Sequence, residues 1–491
     1  MTDYQTLSDA YLELLLEDPN TCVEMGVEQK LDELPDPSLA GLSALRRQAE
    51  QLVEQAEALH PTLTDFHQRL DTELIALTAR QYALDAGLEF NGRLQAQQLP
   101  DAGEEISSGI FFLVTLDPRP AADRLDNILA RLQKVPNYLQ DMLGRLDTPV
   151  ARWVDIDCES IAGLPEFFAS ILDWAREVSY AELDALSAAI ETANASIASY
   201  REALKQLPTT SHFHIGREAA ESIVASKGIE LSLEEIHQVA REFVSSTRNQ
   251  IESLRQQLVA KYGLEPSTTA SQLQTYLAEA HAVKVEDGDF EQVIRRYQQV
   301  AGELETFVTE RDLFPVPDGQ AMNIIQTPGF MRPMIPAGAM MPPPALRKGT
   351  RTSMVYLTLS QELLAEHTEL GIPLMMVHEG IPGHHLQLST ATMHPSIVRR
   401  TFNANEHAEG WTTMLEDYML DQGLMSDLTD EARFVTKLDL SRIGARVAID
   451  LYFMTGDANY LDIGYDVSVD SDDPFANAAS LLIAATGFTP G

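Results

Sequence analysis

Between residue 38 and about residue 312 apolar side chains recur at intervals of three and four, the period of helices that bury one stripe and turn the rest to water. Leu233, Ile236, Val239, Ala240 and Phe243, followed by Ile251, Leu254 and Leu258, form one such stripe. Ser232-Leu-Glu-Glu235 reads as a capping box opening that segment, and Gly263 is placed to close it. Further helices are predicted over 64–88, 121–146, 165–206, 267–282 and 288–312, joined by short turns carrying Gly, Pro or Asp. This half of the chain is therefore a scaffold of long amphipathic helices packed on one another.

The texture changes at Phe314-Pro-Val-Pro317. Eight prolines fall between 314 and 348 among many Met and Gly residues, and proline's fixed φ and missing N–H forbid regular helix there. Arg351-Thr-Ser-Met-Val-Tyr-Leu-Thr-Leu359, rich in Thr, Val and Tyr, reads as a strand of a small edge sheet. Helical patterning resumes near 360 and continues through 371–392, 398–424 and 430–456. The sequence carries no internal repeat, heptad run or low-complexity linker, so a helical scaffold, 1–313, and a second region, 314–491, are expected to pack as one body.

Composition narrows the functional classes. The 491 residues bear a formal charge of −39, which repels nucleic acid and anionic lipid, so no nucleic-acid or membrane partner is expected. The two cysteines, Cys22 and Cys158, have no metal-type spacing and cannot build a disulfide framework. Any metal must then sit on His and carboxylate. Met1-Thr-Asp-Tyr-Gln5 lacks a basic and apolar leader, and no run approaches 18 apolar residues; a cytoplasmic protein is expected.

The segment that carries chemistry is His378-Glu379-Gly380-Ile381-Pro382-Gly383-His384-His385-Leu386-Gln387. A metal hydrolase needs this mixture: neutral imidazoles to hold a borderline cation and a free carboxylate to take a proton from water. The usual H-E-x-x-H spacing is absent, because Pro382 occupies i+4. On an ideal helix His385 would return to within roughly 20° of His378 but lie about 10.5 Å along the axis, and His384 would point about 120° away. Pro382 cannot donate to the carbonyl of His378, and Gly383 loosens the next bond, so a bulge that swings His384 alongside His378 is predicted. A third ligand must come from another helix. Glu409, in His407-Ala-Glu-Gly-Trp411, is the leading candidate, with Glu406 and Glu416 as rivals or as partners that orient an imidazole.

His378-Glu-Gly-Ile-Pro-Gly-His-His-Leu-Gln387 followed by Glu409-Gly-Trp411 resembles the signature of the bacterial domain-of-unknown-function family 885, H-E-x-x-P-G-H-H-L-Q and then E-G-W. The likeness extends over most of the chain, through Leu313-Phe-Pro-Val-Pro317, Thr327-Pro-Gly-Phe330 and the basic helix around Arg446. That family is placed among the zincin-type metallopeptidases and is similar to the carboxypeptidase Taq family. The resemblance implies a mainly α, multi-helix zincin-like fold with a small β-sheet near the active site. The relative's second ligand lies in a G-H-A-L context, which favours His384 over His385, and its third ligand maps onto Glu409. Two departures stand out. Many family members have a His where this chain has Met454, and many run on beyond a Pro-Gly like Pro490-Gly491, so a shortened chain is expected.

The expected function is a zinc-dependent hydrolase of peptide bonds, a carboxypeptidase or oligopeptidase acting on short peptides. His378, His384 and Glu409 hold one Zn²⁺ per chain, and Glu379 is the general base that activates a bound water. His385, Tyr356 and Arg446 are candidates to polarise or bind substrate, and the edge of the 351–359 strand is offered to an extended peptide. A catalytically inactive metal- or peptide-binding helical protein and a non-peptide amidase are the alternatives.

Overall fold

Helix starts are fixed by side chains that accept from otherwise unpaired N–H groups. Asp3, Asp18, Ser38, Asp65, Ser232 and Thr269 each cap the helix that follows. The capping box at Ser232 and Glu235 forms as the sequence predicts, and the Leu233–Lys261 helix it opens is followed by Gly263 at φ +63°. The structure, a computed structural model, describes residues 3–285, 289–332, 334–335, 338–467, 469 and 473–486. Pro490 and Gly491 lie outside the described residues. The fold is mainly helical, and no helix of the described residues is long and apolar enough to cross a membrane.

One large core joins Ala102–Thr115, Ala121–Arg145, Ala151–Glu177 and Leu183–Lys205. The single helix expected over 165–206 is two, turning at Tyr180, and Pro165 sits inside the first. The apolar stripe of Val154, Cys158, Ile161, Leu164 and Phe168 runs through that proline. Burial along the stripe outweighs the lost helical bond.

A second core lies around Glu291–Glu310, Gly371–Glu379 and Asn405–Asp421. A three-stranded sheet separates the two cores. Gln320–Gln326 runs parallel to Arg351–Leu357, and Gly338–Met341 pairs antiparallel with the other side of Arg351–Leu357. The strand expected to offer its edge is thus the central one, bonded on both sides, and only the outer strands have edges. Alternation along it sends Val355 and Leu357 to the second core and Tyr356 to the first.

Candidate metal centre

The Gly371–Glu379 helix stops after Glu379, and a new helix, His384–Thr392, begins after four intervening residues. This corrects the expected bulge within one continuous helix: the break is complete. Pro382 cannot donate to a helical ladder, and the Ile381–Pro382 peptide is cis. Gly383 passes so close to the end of the first helix that a Cβ there would stand 1.9 Å from the His378 carbonyl oxygen and 2.2 Å from that of Val377. Only glycine fits this close approach. The consequence is a meeting of two imidazoles: the rings of His378 and His384 lie edge to face, 4.9 Å between centroids and 84° between planes.

His385, one residue on, points the other way. It is fully buried, its Nδ1 is 2.7 Å from the Ser353 hydroxyl, and its Nε2 meets the Gln320 side-chain oxygen. Burial pushes its pKa down to about 4. It pins the His384–Thr392 helix to the sheet as a neutral ring and is not part of the cluster.

The Asn405–Asp421 helix lies across this break and supplies three groups at i, i+3 and i+7, one face of a helix. Glu409 presents one carboxylate oxygen 3.7 Å from His378 Nε2 and the other 3.7 Å from His384 Nε2. Thr412 Oγ1 is 3.3 Å from His378 Nε2. Glu416 Oε1 lies 2.9 Å from His378 Nδ1. With Glu416 ionised, that bond places the ring proton on Nδ1 and leaves the Nε2 lone pair facing Glu409. Glu406 is drawn off the cluster into an ion pair with Lys227. The donor atoms of His378, His384 and Glu409 all fall within 4.8 Å of one another, and this is the group of such side chains among the described residues that could hold a metal ion.

The charges around the cluster are graded. Burial holds the His384 pKa below its ordinary value, and neighbouring His378 adds to this; the ring also opens a helix, where the dipole opposes positive charge. His378 is buried too, but the Glu416 hydrogen bond and the carboxylates of Glu379, Glu416 and Glu409 overcome that penalty and raise its pKa. Burial raises the Glu379 carboxyl, with Glu409 adding to the effect and His378 opposing it. A half-buried carboxylate whose proton affinity is increased, with His378 as its neighbouring imidazole, is suited to accept and return a proton.

Other candidates lie elsewhere. Tyr356 is 5% exposed in the first core, on the face of the sheet opposite Val355. Arg446 is exposed on the Thr429–Thr455 helix, and its resolved electrostatic neighbour is Asp450. Met454 packs beside Leu451 and Tyr452 in a separate core. Two contributors escaped the sequence reading. Thr412 had no signal beyond its spacing from Glu409. Trp411 was visible as part of Glu-Gly-Trp, but its role was not: its Nε1 donates to the Pro382 carbonyl, 3.0 Å away.

A family model described as "Bacterial protein of unknown function (DUF885)" matches residues 19–460. No curated protein matches the chain. Two solved structures share its fold. One, from Shewanella oneidensis, is described as "a putative lipoprotein of unknown function"; it has a TM-score of 0.71 at 17% identity, covering 98% of this chain and 90% of its own. The other, "the putative lipoprotein from Colwellia psychrerythraea", has a TM-score of 0.76 at 15% identity, covering 99% and 90%.

Proposed function

Because the chain belongs to the DUF885 family, whose description assigns no activity, we propose from the site itself that it is a zinc-dependent hydrolase of peptide bonds acting on short peptides. The observation that carries this reading is the convergence of His378, His384 and Glu409 beside a fourth group, Glu379, that has no protein hydrogen-bond partner among the described residues. Two imidazole nitrogens and a carboxylate are the donor set of a catalytic zinc site, which keeps a position open. The residues fit the ion: Glu416 fixes the tautomer of His378 for ligation, and burial keeps His384 neutral.

When bound, the ion supplies Lewis acidity, lowering the pKa of water to about 7 and polarising a carbonyl. Glu379 accepts the proton of the attacking water as it adds to the scissile carbonyl carbon. The same carboxyl then delivers that proton to the departing amine, so the C–N bond breaks without a free amide anion. Glu416 holds His378 in place through both steps. A substrate main chain is held by pairing with an outer edge of the sheet, at Gln320–Gln326 or Gly338–Met341. Met322 of the first of these reaches to within 3.3 Å of the Cβ position of Gly380, one residue after Glu379.

The compartment is a proposal of its own. The acidic composition and two free, buried cysteines support a reducing cytoplasm. The description of both structural neighbours as lipoproteins supports a location outside it. Cleavage of a panel of short peptides by zinc-loaded protein tests the activity. Turnover abolished in Glu379→Gln with zinc retained is expected; zinc without turnover in the wild type favours a metal- or peptide-binding protein instead.

A further inference from the structure

The separation of the two imidazoles depends on a four-residue turn, Gly380–Gly383, that no helix stabilises from within. Its main-chain bonds are Gly380 N–H to the Met376 carbonyl at 2.9 Å, Gln387 N–H to the Gly383 carbonyl at 3.0 Å, and a long one across the break, Leu386 N–H to the Gly380 carbonyl at 3.4 Å. No backbone donor among the described residues reaches the Pro382 carbonyl, two residues before His384 opens its helix. The Trp411 indole N–H does so instead, at 3.0 Å. Its ring is in turn held edge to face by Phe314, 5.5 Å away.

Trp411 stands two residues after Glu409 on the helix that also carries Thr412 and Glu416. One helix therefore grips both halves of the broken motif. Glu416 holds the ring of His378, on the near side of the break, and Trp411 holds the backbone at Pro382, two residues before His384 on the far side. We propose that Trp411 is a positioning residue for the metal centre: its indole N–H fixes the Pro382 carbonyl and so sets the distance between His378 and His384. It does not touch metal or substrate. This role rests on the zinc reading above and deepens it.

A donor that fixes a ligand's backbone acts like any other support of a metal ligand, whose loss typically lowers affinity about 10- to 100-fold. The test uses the full chain, with zinc affinity measured by competition against a chelator, and with the visible spectrum of the cobalt-substituted protein. Trp411→Phe removes the donor, and site-specific benzothienylalanine at 411 removes the N–H while keeping the shape of the ring, so the second replacement serves if the first fails to fold. Both are expected to weaken zinc about 10-fold or more and to shift the cobalt spectrum, with the metal-free melting temperature of the benzothienylalanine protein near that of the wild type. Phe314→Leu, which loosens the ring but keeps the N–H, is expected to change affinity less than about threefold. Unchanged affinity and spectrum on loss of the N–H, or an equal loss in Phe314→Leu, overturns the role of the bond. A wild type that takes up no zinc overturns the metal reading itself, which is a different result.

Discussion

His378 and His384 are six residues apart in the chain and stand edge to face with ring centroids 4.9 Å apart. An unbroken helix would send them about 120° from each other. The break that joins them depends on Gly383, whose missing side chain lets its backbone lie against the His378 carbonyl. Gly383→Ala is expected to cost roughly 3 kcal/mol or more, because the clash is with backbone and cannot relax locally, and to remove zinc binding. Gly302, inside Glu291–Glu310 with nothing near its Cβ position, is the control: Gly302→Ala is expected to stabilise by up to about 1 kcal/mol. Chemical denaturation of both variants checks the contrast.

His385 is expected to make stability depend on pH. Its folded pKa is pushed by burial from 6.5 to about 4. The unfolded chain therefore binds the proton first, and the stability held above pH 6.5 is lost as the pH falls toward 4, by an amount on the order of 2–3 kcal/mol. His385→Gln removes this group, so its stability in the presence of a chelator is expected to fall less steeply than that of the wild type between pH 6.5 and 4. Parallel curves for the two proteins would contradict the burial of a neutral ring against Ser353 and Gln320.

Three glutamates on one helix are separated by their partners. Glu416 lies 2.9 Å from His378 Nδ1, whereas Glu406 is paired with Lys227. Glu416→Gln is expected to lower zinc affinity roughly 10- to 100-fold, and Glu406→Gln to leave it within about twofold. Competition with a chelator measures both, and equal losses would place the orienting role elsewhere.

Much of this arrangement was legible as period and punctuation. The three-four recurrence placed the long helices, Ser232 and Glu235 marked a helix start, and eight prolines between 314 and 348 forced the irregular stretch that holds two of the three strands. The cluster was legible because its residue types are rare together, and the Pro-Gly pair pointed to where the helix would fail. What stayed hidden depends on phase and on partners distant in sequence. Tyr356 and Ser353 sit on one strand, but only the phase of the pleat decides that Ser353 meets His385 while Tyr356 enters the other core. Periodicity could not separate Glu406 from Glu416, because Lys227, almost 180 residues away, captures the first. The strand at Arg351–Leu357 was visible from its composition, whereas its central position was not, since order within a sheet is set by pairing.

The most direct measurement is anomalous diffraction at the zinc edge from crystals of the full chain grown with zinc. A single peak is expected among His378 Nε2, His384 Nε2 and Glu409, with ligand distances of about 2.0–2.2 Å and with Glu379 beside it but not bound. A map with no peak there, or with the ion held by His385 or Glu406 instead, would contradict the metal centre and the hydrolytic function drawn from it.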